Sequence, residues 1–337
     1  MKKFLFIVCF AYFLKATAQI SDFKNINFTK ADNIAKLHEG ESLKNLALLT
    51  HKLTSNLSTD IEKFRAIYTW VCTNITGNYE LSQKIINKSK KLKNNPKKFQ
   101  KWHASIAPKV FKKLQHQKST MCTGYAYLIK ELAYIANIEC KIINGYGRTL
   151  SSNINTFDLP NHSWNAVKLN NKWYLCDATW SSGYINDECT FIFEYNDGYF
   201  LTTPFFFAKN HFPTDSKWLL NNQQTKQNFI KGPLLYNEAF KHSVFPVSPS
   251  KMETEVFTNE SVSFKLESVT QTDIKMILKI DNGIYVKSVQ LKNINPKKDG
   301  VMIYKYSFKK KGHYDVHLQL LNDIIATYVF TVKEPQE

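Results

Sequence analysis

Three residues could together carry covalent chemistry: Cys122, His162 and Asp177, in the stretches Ser119–Ala126, Asn161–Asn165 and Trp173–Trp180. A thiol attacks as its thiolate, and a helix N-terminus favours that anion by placing partial positive charge beside it. A helical pattern begins at Cys122, flanked by the polar Thr120 and Thr123 and the small Gly124. This suits a thiol that faces a cleft and ionises below the free value of about 8.5. An imidazole at His162 would take up and return the proton, and a carboxylate at Asp177 would hold the tautomer of that imidazole. Cys140 and Cys176 stand in apolar alternation and read as packing.

The elements that must position these groups are legible as periodicities. Leu43, Leu46, Leu49 and Leu53 recur at near-helical spacing, and Thr59-Asp60-Ile61-Glu62 has the form of a capping box. Ile61, Phe64, Ile67, Val71 and Ile75 continue one apolar face, with Trp70 as core. A lysine-rich insertion follows, with breaks at Asn94-Asn95-Pro96 and near Pro108. After Cys122, the residues Ala126, Ile129, Leu132, Ala133 and Ala136 share a helix face. Two strands, Ser163–Leu169 and Lys172–Asp177, flank Asn170-Asn171, a two-residue hairpin turn. His162 and Asp177 lie 15 residues apart with that turn roughly midway, so period-two alternation allows them a shared face while Cys176 points to the other. Helices followed by an antiparallel sheet make an α+β layout.

From about Ser248 short alternating runs recur, separated by turn signals such as Asp281-Asn282-Gly283 and Asn322-Asp323. That spacing predicts an immunoglobulin-like β-sandwich over residues 246–337, without cysteines or a catalytic cluster. The expected organisation is a signal peptide at 1–18, a loose lead-in at 19–40, a catalytic domain at 41–245 and the sandwich, with residues 19–245 expected to fold alone.

The leader reading rests on Lys2 and Lys3, the apolar Phe4–Leu14 and the Ala16-Thr17-Ala18 cleavage pattern. The apolar run is shorter than the ~20 residues a membrane span needs, and no later segment is apolar enough. A mature chain from Gln19 would be periplasmic or extracellular. Losing Lys2, Lys3 and Lys15 lowers the formal charge from +17 to +14. The excess is concentrated: residues 81–130 hold 13 lysines and no Asp or Glu. Such a field could meet acidic or anionic surfaces, but reads first as a solvated insertion. With no arginine in it, specific nucleic-acid recognition is not expected. Five cysteines remain after cleavage, an odd number consistent with one free reactive thiol. No C-x-x-C or H-E-x-x-H spacing is present, so neither a metal nor another cofactor is expected.

The stretches MCTGYAYLIKELA, NHSWNAVKLNNKWYLCDATW and AIYTWVCTNI resemble the transglutaminase-like superfamily, in particular the branch of kyphoscoliosis peptidase and its bacterial relatives. The tail YFLTTPFFFAKNHFPTDSKWLL resembles the segment that follows the catalytic Asp in that branch, so the likeness covers roughly residues 40–221. It implies a papain-like fold with Cys122 as nucleophile, His162 as base and Asp177 as its orienter. His211 falls in the family's downstream tail and is given a structural role. Relatives often have Gly where this chain has Thr120, and Asp where it has Ser181; both changes bear on the pocket rather than the triad. The implied function is that of an exported cysteine peptidase or amidase acting on protein or peptide amide bonds through an acyl-thioester, with a second oxyanion donor unassigned and Trp102 a candidate. The rival readings are a catalytically weak scaffold or binding protein and a lysine-driven binder of anionic surfaces.

Overall fold

The computed structural model describes residues 20–150, 157, 159–268, 274–295 and 300–335; the expected leader at 1–18 lies outside them. Three helices open the fold: α1 (Thr29–Leu37), α2 (Leu46–Thr54) and α3 (Asp60–Asn74). The capping box forms at α3, where Thr59 Oγ1 accepts from Glu62 N and Thr59 N donates to Glu62 Oε2 at 3.1 Å. Ile61, Phe64, Ile67, Trp70, Val71 and Ile75 are all buried, so the helix enters the core along its predicted face. The segment 19–40 is not the loose lead-in expected. It carries α1, whose Ala31 and Ala35 are fully buried, and whose Asp32 accepts from the buried Arg65 at both oxygens, at 2.7 and 3.1 Å. Fork-to-fork pairing of this kind is the strong form of an ion pair.

The short strands β1 (Thr76–Gly77) and β2 (Ser119–Thr120) pair in parallel, so the chain leaves and re-enters the core at one point. Between them the lysine-rich insertion forms a helical hairpin, α4 (Tyr79–Leu92) and α5 (Pro96–Gln117). Pro96 starts α5 at a position where no intrahelical N–H is needed. The break expected near Pro108 does not occur: Pro108 sits inside α5, and the turns beyond it bury Val110 and Leu114. That anchorage outweighs the one hydrogen bond the proline removes.

Next come α6 (Cys122–Ile135), β3 (Cys140–Gly147), β4 (His162–Leu169), β5 (Lys172–Cys176) and α7 (Ala178–Ser182), then the hairpin β6 (Gly183–Ile185) and β7 (Phe191–Phe193), α8 (Pro204–Phe207) and β8 (His211–Pro213). The strands form an antiparallel sheet in the order β5-β4-β3-β8. Leu169 pairs with Lys172 across Asn170-Asn171, both at positive φ (49° and 62°), the two-residue turn that matches strand twist. Helix α6 docks on this sheet through Asn165, whose Nδ2 donates to Ala126 O at 2.9 Å.

The remaining elements are α9 (Lys226–Lys231), β9 (Leu234–Leu235), α10 (Asn237–Lys241), β10 (Val244–Ser248), β11 (Glu253–Phe257), β12 (Ser261–Ser268), β13 (Met276–Asp281), β14 (Val286–Leu291), β15 (Val301–Ser307), β16 (Gly312–Leu320) and β17 (Asp323–Lys333). One sheet runs β10-β12-β15 and the other β11-β17-β16-β13-β14, with β9 added to β17. Their inner faces meet: Phe264 of β12 lies 5.8 Å from Tyr328 and 5.9 Å from Phe330 of β17. This core is continuous with that of the preceding part, since Trp164, Leu175, Tyr199, Phe207 and Phe240 join the same buried cluster.

Deleting residues 246–337 would therefore uncover Leu235, Phe240 and Phe245 and leave β9 without its partner strand. Each such side chain returned to water costs about 1.5–3 kcal/mol. The chain 19–245 is expected to unfold at markedly lower denaturant than the intact protein, read by circular dichroism; equal midpoints would mean that the two parts are energetically independent.

Candidate active site

Cys122 is the first residue of α6, preceded by Met121 in extended conformation (φ −120°, ψ −178°). The segment before it is pinned by β1, with Asn78 N donating to Thr120 O at 2.6 Å. Behind it the Tyr125 hydroxyl donates to Ile75 O at 2.6 Å, fixing α6 to the end of α3. The thiol thus stands at the unsatisfied N–H end of a 14-residue helix, 9% exposed. Thr120 fills the space left by Gly124: a Cβ on residue 124 would lie 1.8 Å from Thr120 Oγ1. The threonine where relatives often have glycine is therefore matched by a glycine one helical turn on.

His162 opens β4 and Asp177 follows β5, and the register sets them on one face, because Asn165 opposes Cys176. His162 Nε2 lies 2.7 Å from Asp177 Oδ2, and Asp177 has no exposed surface. Its other oxygen, Oδ1, accepts from Thr179 N at 2.8 Å and Trp180 N at 3.3 Å, so the carboxylate also caps α7. Burial opposes the His162 cation, but the charge and hydrogen bond of Asp177, with the Cys122 thiol against the ring, outweigh it and raise its pKa to about 10. Burial likewise opposes the Asp177 anion, yet His162 and then His211 hold it below the usual carboxylate range. Cys122, His162 and Asp177 are thus brought together in the order expected of them.

Two features were not legible beforehand. His211, placed as structural, reaches the same carboxylate: its Nε2 lies 3.0 Å from Asp177 Oδ2. The backbone that delivers it is β8, where His211 pairs with Gly147 of β3. The second is an aromatic enclosure. Trp180 stacks on His162 at 4.6 Å and 19°, and Gly147 leaves room for both rings, since a Cβ there would fall 2.9 Å from Trp180 and 3.1 Å from His162. Ser181, where relatives commonly have Asp, is buried and links α7 to α3, its Oγ 2.6 Å from the Tyr68 hydroxyl. Trp102, the candidate second donor, lies on α5 with its ring against Phe99.

His162, Asp177 and His211 present ligand atoms within 4.8 Å of one another, a spacing that a metal ion can use. The separations of 2.7 and 3.0 Å from both histidines to one oxygen are those of hydrogen bonds. The described cysteines are all free, with Cys72, Cys140 and Cys176 buried and pushed up by burial, and Cys189 exposed. A cavity of about 690 Å³ is lined by Trp180 together with Arg148, Tyr184, Tyr236, Glu238 and Asp323 among others.

The sequence profile described as Transglutaminase-like superfamily matches residues 48–178. Kyphoscoliosis peptidase of Mus musculus is 28% identical over 304 residues, 86% of this chain and 42% of that protein. The Homo sapiens kyphoscoliosis peptidase is 28% identical over 286 residues, 81% and 39% of the two chains. Hillarin of Drosophila melanogaster is 24% identical over 270 residues, 75% and 30%. The chain spans about two fifths of the length of the first two relatives.

Two outcomes follow from this geometry. Gly124→Ala should destabilise the protein by about 1–3 kcal/mol through overpacking, and Thr120→Gly in the same chain should restore part of that loss; strictly additive denaturation midpoints would show that the two sites do not touch. His162, with its folded pKa raised, contributes stability that is fully present below its unfolded pKa of about 6.5 and is lost as pH rises through about 10. The stability gap between wild type and His162→Ala should accordingly narrow over that window, as followed by urea unfolding.

Proposed function

With residues 48–178 a transglutaminase-like superfamily domain, we propose that this chain is a thiol enzyme that cleaves or transfers amide bonds of proteins or peptides through an acyl-thioester on Cys122. The observation that carries the reading is His162 standing between the Cys122 thiol and a fully buried, charge-holding Asp177. His162 is placed to take the proton of the Cys122 thiol, and the sulfur reacts as its thiolate. The thiolate attacks the amide carbonyl, and the Cys122 backbone N–H at the start of α6 is one donor for the oxyanion. His162 hands its proton to the leaving amine as the C–N bond breaks, which leaves the acyl-thioester and a neutral imidazole. Neutral His162 then takes a proton from water, the resulting nucleophile breaks the thioester, and the proton stays on His162 beside the regenerated thiolate. Water is always abundant, so hydrolysis is the default outcome; an amine in its place would give transfer.

We place this activity outside the cytoplasm, on the strength of the leader-like residues 1–18, and read the two-sheet region from Val244 onward as an immunoglobulin-like module that follows the catalytic domain. Protein and peptide amides are the substrate class because the triad supplies an acid for an amine leaving group.

The test is mass spectrometry of the intact protein after incubation with a peptide library, in which a thioester adduct on Cys122 is expected and is absent in Cys122→Ala. A wild-type chain that forms no adduct under any peptide pool would leave the scaffold reading in its place. Asp177→Asn keeps the side-chain volume but loses the anion that holds the imidazolium, so turnover should fall by about 10³–10⁴-fold. A well-folded Asp177→Asn protein with wild-type turnover would end the assignment.

A further inference from the structure

Asp177 presents one oxygen to backbone donors and the other to two histidines at once. His162 approaches Oδ2 at 2.7 Å and His211 at 3.0 Å. His211 is 1% exposed, more enclosed than the triad thiol. Phe207 stacks on its ring at 3.9 Å and 19°, and Trp180 lies 4.3 Å away on the ring stack that also holds His162. Its Nδ1 lies 2.7 Å from Asn210 Oδ1, while Asn210 Nδ2 donates to the Tyr199 hydroxyl at 3.1 Å. A neutral His211 that donates to the carboxylate through Nε2 needs this amide turned over, so that Nδ2 donates to Nδ1 and Oδ1 accepts from the Tyr199 hydroxyl.

We propose that His211 is a positioning residue of this site, whose Nε2–H holds Asp177 ionised and aimed at His162 while His162 gives up and regains its proton. The proposal rests on the triad reading above. When His162 passes its proton to a leaving group, Asp177 loses its cation and would stand as a buried anion on two backbone N–H groups alone. A second donor that does not itself change charge prevents the carboxylate from drawing the proton back or rotating away. Burial, with the positive charge of His162 nearby, pushes His211 down to about 4 despite Asp177, so it donates without adding a second buried cation. The other titratable groups that face Asp177 are Cys72 on α3, Tyr125 on α6, Cys176 on β5 and Tyr199, all pushed up by burial and therefore neutral. His162 carries the proton; His211 carries only direction.

The test uses the full chain and measures site-resolved iodoacetamide alkylation of Cys122 against pH, with denaturant midpoints as the check on folding. His211→Phe keeps a ring against Phe207 but has no N–H. Asp177 should then take up a proton at higher pH, and the acid limb of the Cys122 profile should move upward by about one pH unit, a tenfold loss of rate on that limb. His211→Gln, which retains a donor, should move it less. A folded His211→Phe protein with the wild-type profile would reduce His211 to packing and overturn the proposal. Should neither variant fold, ¹⁵N-histidine NMR of the wild type between pH 5 and 8 decides: a neutral His211 protonated at Nε2 beside a cationic His162 supports it, and a His211 that titrates as a cation overturns it. A wild-type Cys122 that alkylates no faster than the exposed Cys189 would instead sink the triad reading itself, and this proposal with it.

Discussion

The carboxylate of Asp177 accepts hydrogen bonds from Thr179 N, Trp180 N, His162 and His211 while wholly removed from water. Such a group is expensive to bury unless every lone pair is met, so its partners must all be in place together. The requirement ties distant parts of the chain to one point. Helix α7 starts on Oδ1, β4 brings one imidazole, and β8 brings the other across Gly147 of β3. Cys122 joins from a different direction, as the first residue of a helix hydrogen-bonded to the end of α3 and to Asn165 of the sheet. Cys122 and His162 are thereby delivered by different elements, a helix and a strand, and their meeting is a property of the folded core rather than of any local motif.

This division explains what could be seen in the sequence. The capping box at Thr59–Glu62, the start of α6 at Cys122 and the Asn170-Asn171 hairpin were legible because each is decided within a few neighbouring residues. The shared face of His162 and Asp177 was legible because a tight hairpin converts sequence parity into geometry. His211 was not, since its reach to Asp177 depends on β8 pairing with β3 after the chain has passed through β4 to α8, a long-range pairing that no local pattern announces. Helix α1 was missed for a similar reason: its polar sequence becomes structure only when Arg65 from α3 closes on Asp32. Pro108 misled in the opposite sense, because a local breaker was overruled by the burial of Val110 and Leu114.

Thr120 and Ser181, the two residues that depart from the resembled motifs, are each matched to a neighbour. Thr120 is accommodated by Gly124, and Ser181 bridges the Tyr68 hydroxyl to the carbonyl of Asn196, at 2.6 and 2.7 Å. Each change sits in a close-packed setting where one side chain's size or hydrogen bonding sets what its neighbour can be. The lysine hairpin is different in its first helix: α5 is anchored by the buried Val110 and Leu114, whereas α4 buries none of its residues. Helix α4 can vary in sequence without disturbing the arrangement around Asp177.

Strand β17 lies between β11 and β16 in one sheet, receives β9 as an added strand, and supplies Asp323 to the lining of the cavity beside Trp180. It is made long after Cys122, His162 and Asp177 have been joined into the growing chain. Without β17 the segment Leu234–Leu235 has no partner strand and the cavity lacks Asp323 in its lining. The space beside Trp180 is thus shaped jointly by residues far apart in the chain, and a change in β17 can reach it without touching Cys122, His162 or Asp177.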